Sequence, residues 1–482
     1  MTVRVRQLIA GRWRDGTGPR SESRNPARPG EVVADLAVAT EPDLDEAVRA
    51  AAVAAAEWRL AAMHERAEVL GAAARLLDAR AEEYGSELTR EEGKTLAEGV
   101  GEVRRAAEIF RFNAGEADRE AGEIYSSPRR GESIMVVRRP LGVVAVITPW
   151  NFPAAIPAWK IAPALVHGNA VVWKPASLVP LLAMRLAETL TEAGLPDGVL
   201  SLLLGPGALG TRLVEHPGVA ALSFTGSTEV GTRLMQTCAR LRKPVQAELG
   251  GKNAAVVLAD ADLDHAAAEV IAGAMRSTGQ KCTATSRLVV DAAVEDALLD
   301  RVCRLAAGLR VGDGLRPDVD LGPAASADAR GEILTAVEGA VAGGAEVLTG
   351  RTPYADTERA EGYFVPPTVL RLADPRLAVW RDEVFGPVLS VVRAAGRDEA
   401  LRLANDSAFG LSGAVFTNDL DFVLRAMSEF KVGVLHVNSE TAGADPHVPF
   451  GGVKDSGYGP KEQGRAARDF YTHTTTVYLR AS

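Results

Sequence analysis

Cysteines and long apolar runs are both scarce in this chain. Its 482 residues include three cysteines, Cys238, Cys282 and Cys303, too few and too scattered for a disulfide framework or a zinc site. No apolar run approaches the roughly 18 residues of a membrane-spanning helix. Charged residues begin too early in the N-terminus for a signal peptide. We therefore expect a cytoplasmic protein without disulfides, a metal site or a membrane partner.

Basic residues are fewer than acidic ones. The chain carries 54 Lys and Arg against 63 Asp and Glu, and the formal net charge of −9 argues against nonspecific binding to nucleic acid. Hydrophobic residues make up 47% and charged residues 24%, as in ordinary globular proteins. A chain of this length can bury a large core in two or three domains. Its size favours an enzyme.

The first 140 residues show a mixed pattern. Asp43 can cap a helical stretch with apolar residues at helical spacing, which runs to about Asp78. A polar stretch without clear periodicity follows the last helix of this region. The predicted elements, in order, are short strands and turns (1–40), helices (43–78, 81–88 and 96–114) and a strand (134–138).

From Leu141 onward, short apolar runs alternate with helical segments. This β-α alternation predicts a parallel, doubly wound sheet with ligands at the carboxyl ends of its strands. The Gly250-Gly251 pair, which follows the last strand of this series, is the predicted domain boundary. A second α/β series begins after it. The predicted strands are 143–147, 170–173, 199–204, 219–224 and 245–249, then 254–258, 287–290, 388–392 and 432–437. The strand-like segment 470–479 has no local partner, and we expect it to pair with 134–138 or with another subunit.

Two glycine-rich turns precede predicted helices. Residues 205–210 match GxGxxG, but no acid follows at the end of the next strand to hold a ribose, so a glycine-eased turn is the favoured interpretation over a dinucleotide fingerprint. Residues 226–231 form a second strand–glycine–helix junction. Its first-turn N–H groups could bind a phosphate, or Ser227 or Thr228 could simply cap the helix. Spacing alone leaves both possibilities open.

Seven short segments together resemble the aldehyde dehydrogenase superfamily. They occur in the order of that family and spread across nearly the whole chain: 148–153 (TPWNFP), 173–177 (WKPAS), 223–227 (SFTGS), 248–252 (ELGGK), 279–282 (GQKC), 383–387 (EVFGP) and 449–452 (PFGG). The resemblance implies an α/β fold with three parts, in a homodimer or homotetramer. These are an NAD(P)-binding domain (1–121 and 141–249), a catalytic domain (250–435) and a small β oligomerisation arm (122–140 and 463–482).

The resemblance also implies catalytic roles. Cys282 matches the nucleophile, because a thiolate can add to an aldehyde and create a carbon that releases hydride. Its polar neighbours weaken the alternative of a buried packing cysteine, which is how we interpret Cys238 and Cys303. Asn151 matches the oxyanion donor. Glu248 matches the base that activates water for thioester hydrolysis, and Lys160 matches a lysine near the pocket.

For the cofactor, the matching positions predict NADP or NAD. Lys174 and Ser177 match positions that face the adenosine ribose. Many NAD-preferring relatives carry Glu in place of Ser177, so we expect NADP to be tolerated or preferred. Glu383 matches a residue on the nicotinamide ribose, and Phe385 a ring beside it. The full predicted set is Thr148, Pro149, Trp150, Lys174, Ala176, Ser177, Gly207, Thr225, Gly226, Ser227, Leu249, Gly250, Glu383 and Phe385.

The predicted substrate is a small aldehyde. Residues 279–287, 440–449 and 462–467 look most like 2,5-dioxopentanoate (α-ketoglutaric semialdehyde) dehydrogenases, whereas Trp159 stands where succinic semialdehyde enzymes commonly carry Arg. A substrate carboxylate would need a cation or hydroxyls, and Arg276 and Ser286 are candidates by proximity to Cys282. The alternatives are oxidation of another aliphatic or aromatic aldehyde, a CoA-acylating enzyme, which Glu248 disfavours, and an inactive structural homologue.

Overall fold

The structure is a computed structural model that describes residues 2–480, without the side chains of residues 357 and 358. The helices are α1 Glu41–Trp58, α2 Met63–Ala79, α3 Ala81–Glu92, α4 Leu96–Ala114, α5 Ala155–Val166, α6 Pro180–Glu192, α7 Gly207–Glu215, α8 Thr228–Leu241, α9 Leu263–Met275, α10 Glu295–Ala307, α11 Ala327–Ala342, α12 Thr357–Glu361, α13 Ala378–Arg381, α14 Arg397–Asn405, α15 Leu420–Glu429 and α16 Gly464–Tyr471. None of these described helices is long and apolar enough to cross a membrane.

The strands of the described chain belong mainly to three sheets. They are β1 Val3–Arg4, β2 Gln7–Ile9, β3 Arg12–Arg14, β4 Arg20–Arg24, β5 Val32–Ala37, β6 Gly122–Ser126, β7 Glu132–Pro140, β8 Val143–Ile147, β9 Ala170–Lys174, β10 Leu200–Leu202, β11 Ala221–Thr225, β12 Val245–Glu248, β13 Asn253–Val257, β14 Thr285–Asp291, β15 Glu346–Thr349, β16 Thr368–Arg371, β17 Val388–Ala394, β18 Phe409–Gly410, β19 Ser412–Phe416, β20 Val434–Val437, β21 Val453–Lys454, β22 Gly457–Tyr458 and β23 Thr472–Arg480.

The first large sheet has the order β22-β12-β11-β8-β9-β10-β2-β3, and its five central strands are parallel. Every residue of β8 and β9 is buried because helices cover both faces. The chain order reverses at β8, which lies between β9 and β11. In doubly wound sheets ligands bind at such a reversal, above the carboxyl ends of the strands. The predicted α/β fold is confirmed.

A second sheet, β15-β16-β17-β14-β13-β19-β20, is parallel except for β15. A third, β23-β7-β6, is antiparallel, with Thr472 opposite Pro140 and Arg480 opposite Glu132. The C-terminal strand therefore pairs with the predicted internal partner. Strand β6 was not predicted, because all of its residues are exposed and it has no apolar alternation.

The start of the helical region differs from the prediction. Thr40, not Asp43, is the N-cap of α1; Asp43 is the third helical residue and its carboxylate accepts the Thr40 N–H at 2.9 Å. The expected single stretch to Asp78 is two helices, because the chain turns between Trp58 and Met63.

The predicted division into domains remains a prediction, and two strands bear on its limits. Strand β20 runs across residue 435. Strand β22 returns the chain from the second sheet to the first, where Gly457 pairs with Glu248. In the last predicted segment, α16 packs Ala467 and Phe470 into the core of the first sheet, and only β23 belongs to the third sheet.

Candidate active site

A cavity of about 320 Å³ opens between the two large sheets, at the carboxyl ends of β8, β11 and β12. Its lining includes three residues that the sequence did not single out, Ile156, Glu332 and Val384. The predicted site residues that line it are Pro149, Trp150, Asn151, Thr225, Gly226, Ser227, Leu249, Gly250, Cys282, Glu383 and Phe385. Segments more than 200 residues apart in the chain therefore meet at one place.

Cys282 reaches this cavity on a tightly constrained segment. Ser277, Thr278 and Gly279 have φ angles of 54°, 55° and 66°, in the left-handed region that side chains other than glycine rarely adopt. A Cβ on Gly279 would lie 2.2 Å from the carbonyl oxygen of Gly386, so this position requires glycine. The Cys282 carbonyl accepts a hydrogen bond from the Asn253 amide at 2.8 Å. Both ends of the nucleophile's segment are thus fixed.

The Cys282 thiol is protonated at neutral pH in this arrangement. Burial, followed by the negative charges of Glu383 and Glu248, raises its pKa to about 12. A thiolate forms only if a base removes the proton as the sulfur attacks. The site therefore depends on a nearby proton acceptor.

Asn151 follows β8 and is buried. Its side-chain Nδ2 donates to the carbonyl oxygen of Gln280 at 3.0 Å, two residues before Cys282 in the chain. This bond uses one of the two amide hydrogens. The other hydrogen remains available to an oxygen in the cavity beside the thiol.

Glu248 is the last residue of β12 and is buried next to the cavity. One carboxylate oxygen accepts the Gly452 N–H at 3.0 Å, and a Cβ on Gly451 would lie 2.1 Å from the other oxygen. Burial and the neighbouring carboxylate of Glu462 raise the pKa of Glu248, while the Gly452 N–H, Lys461 and Lys160 oppose the rise. A carboxyl group with a raised pKa can exchange protons near neutral pH.

Lys160 does not line the cavity. It is fully buried in α5, forms an ion pair with Glu462 and donates to the Ser223 hydroxyl at 3.2 Å. The Ser223 hydroxyl in turn contacts the Gln246 side chain at 3.1 Å. A lone charge in an apolar helix requires a buried partner. The sequence alone does not show which of the 63 Asp and Glu residues pairs with Lys160.

Another part of the cavity wall is formed by Glu383 and Phe385. A Glu383 oxygen accepts the Gly251 N–H at 2.8 Å, and a Cβ on Gly250 would lie 2.5 Å from the other oxygen. Burial raises the pKa of Glu383 to about 6. Phe385 has a φ of 53° and its ring meets the edge of Trp150 at 5.5 Å and 82°. Strain of this kind concentrates at binding sites.

The N-terminus of α8 closes the cavity on the third side. Ser227 is the N-cap, and its hydroxyl accepts the Val230 N–H at 3.4 Å. Of the two predicted residues, Ser227 and Thr228, Ser227 therefore caps the helix. The Thr225 hydroxyl is buried and has no hydrogen-bond partner among the residues that the structure describes. Gly226 packs against the Phe224 ring, which a Cβ would approach to 2.6 Å. An unpartnered hydroxyl, a helix N-terminus and a carboxylate suit the pyrophosphate and ribose of a dinucleotide.

The remaining predicted cofactor residues lie outside this cavity. Lys174 is buried, not solvated, and its Nζ donates to the Pro175 carbonyl at 3.0 Å. Burial lowers its pKa to about 8. The Ser177 hydroxyl donates to the Gly205 carbonyl at 2.9 Å, and Ala176 lies beside it in a cleft of about 250 Å³.

Two more of these residues have separate surroundings. The Thr148 hydroxyl accepts from the Trp173 indole at 2.9 Å. Gly207 is the first residue of α7 and borders a groove of about 760 Å³ between α7 and α8. The GxGxxG segment is thus the turn after β10, away from the reversal at β8.

Neither of the two candidates for a substrate carboxylate lines the cavity. The Arg276 side chain is 64% exposed and pairs with Glu440 at 3.3 Å, and the Ser286 hydroxyl contacts the Asn253 carbonyl at 3.5 Å. Lys281, also outside this lining, was not predicted; its side chain is only 7% exposed and its Nζ lies 3.6 Å from Glu440. Its position next to Cys282 was the available signal.

Comparison with known proteins gives relatives along the whole chain. The profile of the "Aldehyde dehydrogenase family" matches residues 13–477. The chain is 40% identical over 475 residues to the alpha-ketoglutaric semialdehyde dehydrogenase of Bacillus subtilis, covering 98% of this chain and 97% of that protein. It is 38% identical to the 2,5-dioxopentanoate dehydrogenase of Saccharolobus solfataricus, with 98% of each chain covered.

Solved structures agree. The NAD-dependent aldehyde dehydrogenase of Sinorhizobium meliloti superposes with a TM-score of 0.96 at 34% identity, covering 100% of this chain and 95% of that one. The betaine aldehyde dehydrogenase of Staphylococcus aureus, solved in complex with NAD+, gives 0.95 at 32% identity over 98% and 94%. The chain belongs to the aldehyde dehydrogenase family and is an NAD(P)-dependent oxidoreductase acting on the aldehyde group.

Proposed function

We propose that this enzyme oxidises 2,5-dioxopentanoate, or a closely similar semialdehyde, to the carboxylic acid. The observation that supports the chemistry is the junction of Cys282 and Asn151 in one cavity, with Asn151 bonded to the segment that carries the thiol. The activities named for the two relatives from Bacillus subtilis and Saccharolobus solfataricus support the substrate.

In the first step the Cys282 sulfur attacks the aldehyde carbon and forms a thiohemiacetal. The thiol proton passes to a base, directly or through water, and the raised pKa of Glu248 and its effect on the Cys282 thiol support Glu248 in this role. The aldehyde oxygen becomes an oxyanion, which the free hydrogen of the Asn151 amide and the Cys282 backbone N–H stabilise. Removing one such donor typically costs about 10²–10³ in rate.

NAD(P)+, when bound, would supply the hydride acceptor, so that the tetrahedral carbon on Cys282 could become a thioester. Glu383 would hold the nicotinamide ribose and the α8 N-terminus the pyrophosphate. Glu248 then activates water to hydrolyse the thioester. Product analysis with and without CoA tests this step: the free acid should form at the same rate in both cases. A CoA thioester as the product would favour the CoA-acylating alternative.

Lys174 and Ser177 support use of NADP as well as NAD. A cation and a hydroxyl can donate hydrogen bonds to a 2′-phosphate, which a carboxylate would repel. Replacing Ser177 with Glu should raise the KM for NADP far more than the KM for NAD, and Ser177→Ala is the control without the new charge. Equal effects of Glu on both cofactors would overturn this ribose assignment.

Lys281 is the cation we propose for the substrate carboxylate. Lys281 directly precedes Cys282 in the chain, and its Nζ, 3.6 Å from Glu440 and also near Glu98, is the buried cation next to the nucleophile. Lys281→Met should raise the KM for 2,5-dioxopentanoate at least about tenfold, since hydrogen bonds to charged groups contribute about 1.5–3 kcal/mol. The KM for pentanal, which has the same length and no carboxylate, should not change.

The substrate proposal has a direct test. Steady-state rates over a panel of aldehydes with both cofactors should give the highest kcat/KM for 2,5-dioxopentanoate. A higher value for pentanal or an aromatic aldehyde would contradict the proposal. The absence of activity on every aldehyde, with normal cofactor binding, would favour the inactive homologue.

We also propose a homodimer or homotetramer that works in the cytoplasm. The apolar side chains of Ile124 and Tyr125 on β6, and of Tyr478 and Leu479 on β23, are exposed in the single chain. Light scattering coupled to gel filtration should give two or four times the 50.8 kDa of one chain. A monomer would contradict this assignment of the arm.

A further inference from the structure

The N-terminal end of α4 contacts both loops of the candidate site from outside the cavity. Gly93 ends α3 in a left-handed turn, Lys94 follows, and Thr95 caps α4. Two side chains of this turn, those of Lys94 and Glu98, reach the Asn151 and Cys282 loops. The reaction described above uses neither of them.

Lys94 holds the Asn151 loop. Its Nζ donates to the backbone carbonyl of Asn151 at 2.8 Å and to a Glu102 oxygen at 2.6 Å, and it lies 4.4 Å from the centre of the Phe152 ring. The Lys94 side chain is only 1% exposed. Burial disfavours its charge, but the carboxylates of Glu102 and Glu92 outweigh burial and raise its pKa. The contact is therefore that of a permanent cation.

Glu102 fixes the other end of the same loop. Its second oxygen accepts the backbone N–H groups of Ala154 and Ala155 at 2.8 and 3.2 Å, at the start of α5. The loop that presents the Asn151 amide is thus bonded at Asn151 and at its last residue, Ala154, to one buried ion pair. This ion pair has a defined geometry, because Lys94 makes two hydrogen bonds and Glu102 accepts three.

Glu98 holds the Cys282 segment. One of its oxygens accepts the Ser277 N–H at 2.7 Å, and the other accepts the Thr95 N–H at 3.0 Å as part of the helix cap. Ser277 is the first of the three left-handed residues before Cys282. Such a conformation costs about 1–3 kcal/mol per residue and persists only when its surroundings fix it.

We infer that Lys94 and Glu98 are positioning residues that together set the separation between the Asn151 amide and the Cys282 sulfur. The N-terminal end of α4 is bonded through Lys94 to the carbonyl of Asn151. Through Glu98 it is bonded to the segment that carries Cys282. The inference rests on the proposed roles of Asn151 and Cys282. A displacement of about 1 Å in such a constellation can cost about 10² in rate.

Two reactions of the same thiol separate positioning of Asn151 from positioning of Cys282. Acylation of Cys282 by p-nitrophenyl acetate passes through an oxyanion and needs the Asn151 amide, whereas alkylation by iodoacetamide forms no oxyanion. Lys94→Met should lower the acylation rate at least about tenfold, as part of the 10²–10³ that a lost donor costs. It should leave the alkylation rate within about twofold of the original.

Glu98→Gln should behave differently. The Ser277 and Thr95 N–H groups are bonded to different oxygens of Glu98, and in Gln one of these oxygens is replaced by an NH2 donor, so the attachment of the Cys282 segment to α4 is weakened. Acylation and alkylation should therefore both change, and their ratio should move less than in Lys94→Met. The KM for NAD or NADP should be unchanged in both variants, because neither side chain lines the cavity.

Lys243→Met is the matched control. Lys243 also donates to two loop carbonyls, those of Val214 and His216, both at 2.7 Å, at the opposite end of the sheet. Both reaction rates should stay at the wild-type value. If Lys94→Met fails to fold, the ratio is measured on Lys94→Met/Glu102→Gln. In that variant Glu92 is the acid that remains beside the replaced lysine. Because burial raises the pKa of Glu92 to about 7, this carboxyl group can bind a proton and become neutral.

The outcomes distinguish a failure of this inference from a failure of the proposed function. A selective fall in acylation in a folded Lys94 variant, absent in the Lys243 control, supports the inference. An acylation-to-alkylation ratio within about twofold of wild type, an equal fall in the control, or a rise in the KM for the cofactor would overturn it. If wild-type enzyme and Cys282→Ala acylate equally, the proposed function itself fails.

Discussion

The charges behind Glu248 predict opposite pH shifts for two neighbouring substitutions. Glu462 raises the pKa of Glu248 and Lys160 lowers it. Glu462→Gln removes the negative charge, so the Glu248 carboxylate should persist to lower pH. Lys160→Met removes the positive charge, so Glu248 should bind its proton at higher pH. Glu248 must be ionised to activate water. The acid limb of the pH profile of thioester hydrolysis should therefore shift in the same direction as the pKa of Glu248.

The expected size follows from linkage. Each unit of pKa corresponds to about 1.4 kcal/mol and to a tenfold change in the carboxylate fraction below the pKa. Each single substitution also leaves one member of a fully buried ion pair without its partner, at a cost of about 3–5 kcal/mol in unfolding free energy. The double variant Lys160→Met/Glu462→Gln removes both charges and should recover most of that stability.

The assay is the rate of thioester hydrolysis after rapid acylation, measured from about pH 5 to 9, with urea unfolding of each variant. Glu87→Gln serves as the control, since Glu87 pairs with Arg185 at 2.7 Å away from the cavity and should leave the acid limb unchanged. Acid limbs that move in the same direction in folded Lys160 and Glu462 variants would refute the reasoning.

Two further predictions concern the cavity. Gly250→Ala places a Cβ 2.5 Å from Glu383, so the KM for the cofactor should rise about tenfold or more. The control is Gly339→Ala, whose Cβ would have nothing within 4 Å and which should leave this KM unchanged. Equal KM values in the two variants would show that Glu383 does not hold the cofactor. Alkylation of Cys282 in the free enzyme should accelerate about tenfold per pH unit between pH 7 and 9, because its pKa is about 12. A plateau in that range would contradict the protonated thiol.

Local patterns were sufficient for the central part of the fold. Apolar runs separated by helices predict a parallel sheet, and the residues at the ends of β8, β11 and β12 then fall at one edge. Asn151 and Glu248 could therefore be assigned to the ends of strands of this sheet from the sequence. Strand β6 could not be predicted, because exposure on both faces removes the apolar alternation that marks a strand.

The partners of buried charges could not be predicted. Glu462 lies 302 residues from Lys160, and Asn151 lies 57 residues from Lys94. Many acids and carbonyls compete for each cation in the sequence, and only packing selects one. The burial of Lys174 has the same origin, since a lysine at a strand end is usually solvated.

The return of the chain to the first sheet limits how this enzyme can be dissected. Strand β22 covers the edge of β12, and the Leu249 N–H is bonded to the Ser456 carbonyl at 2.9 Å. A fragment ending near residue 250 would expose an unpaired strand next to Glu248 and would lack Gly452 and Glu462. Expressed alone, such a fragment should aggregate through that open edge, whereas two complementary fragments supplied together could restore activity.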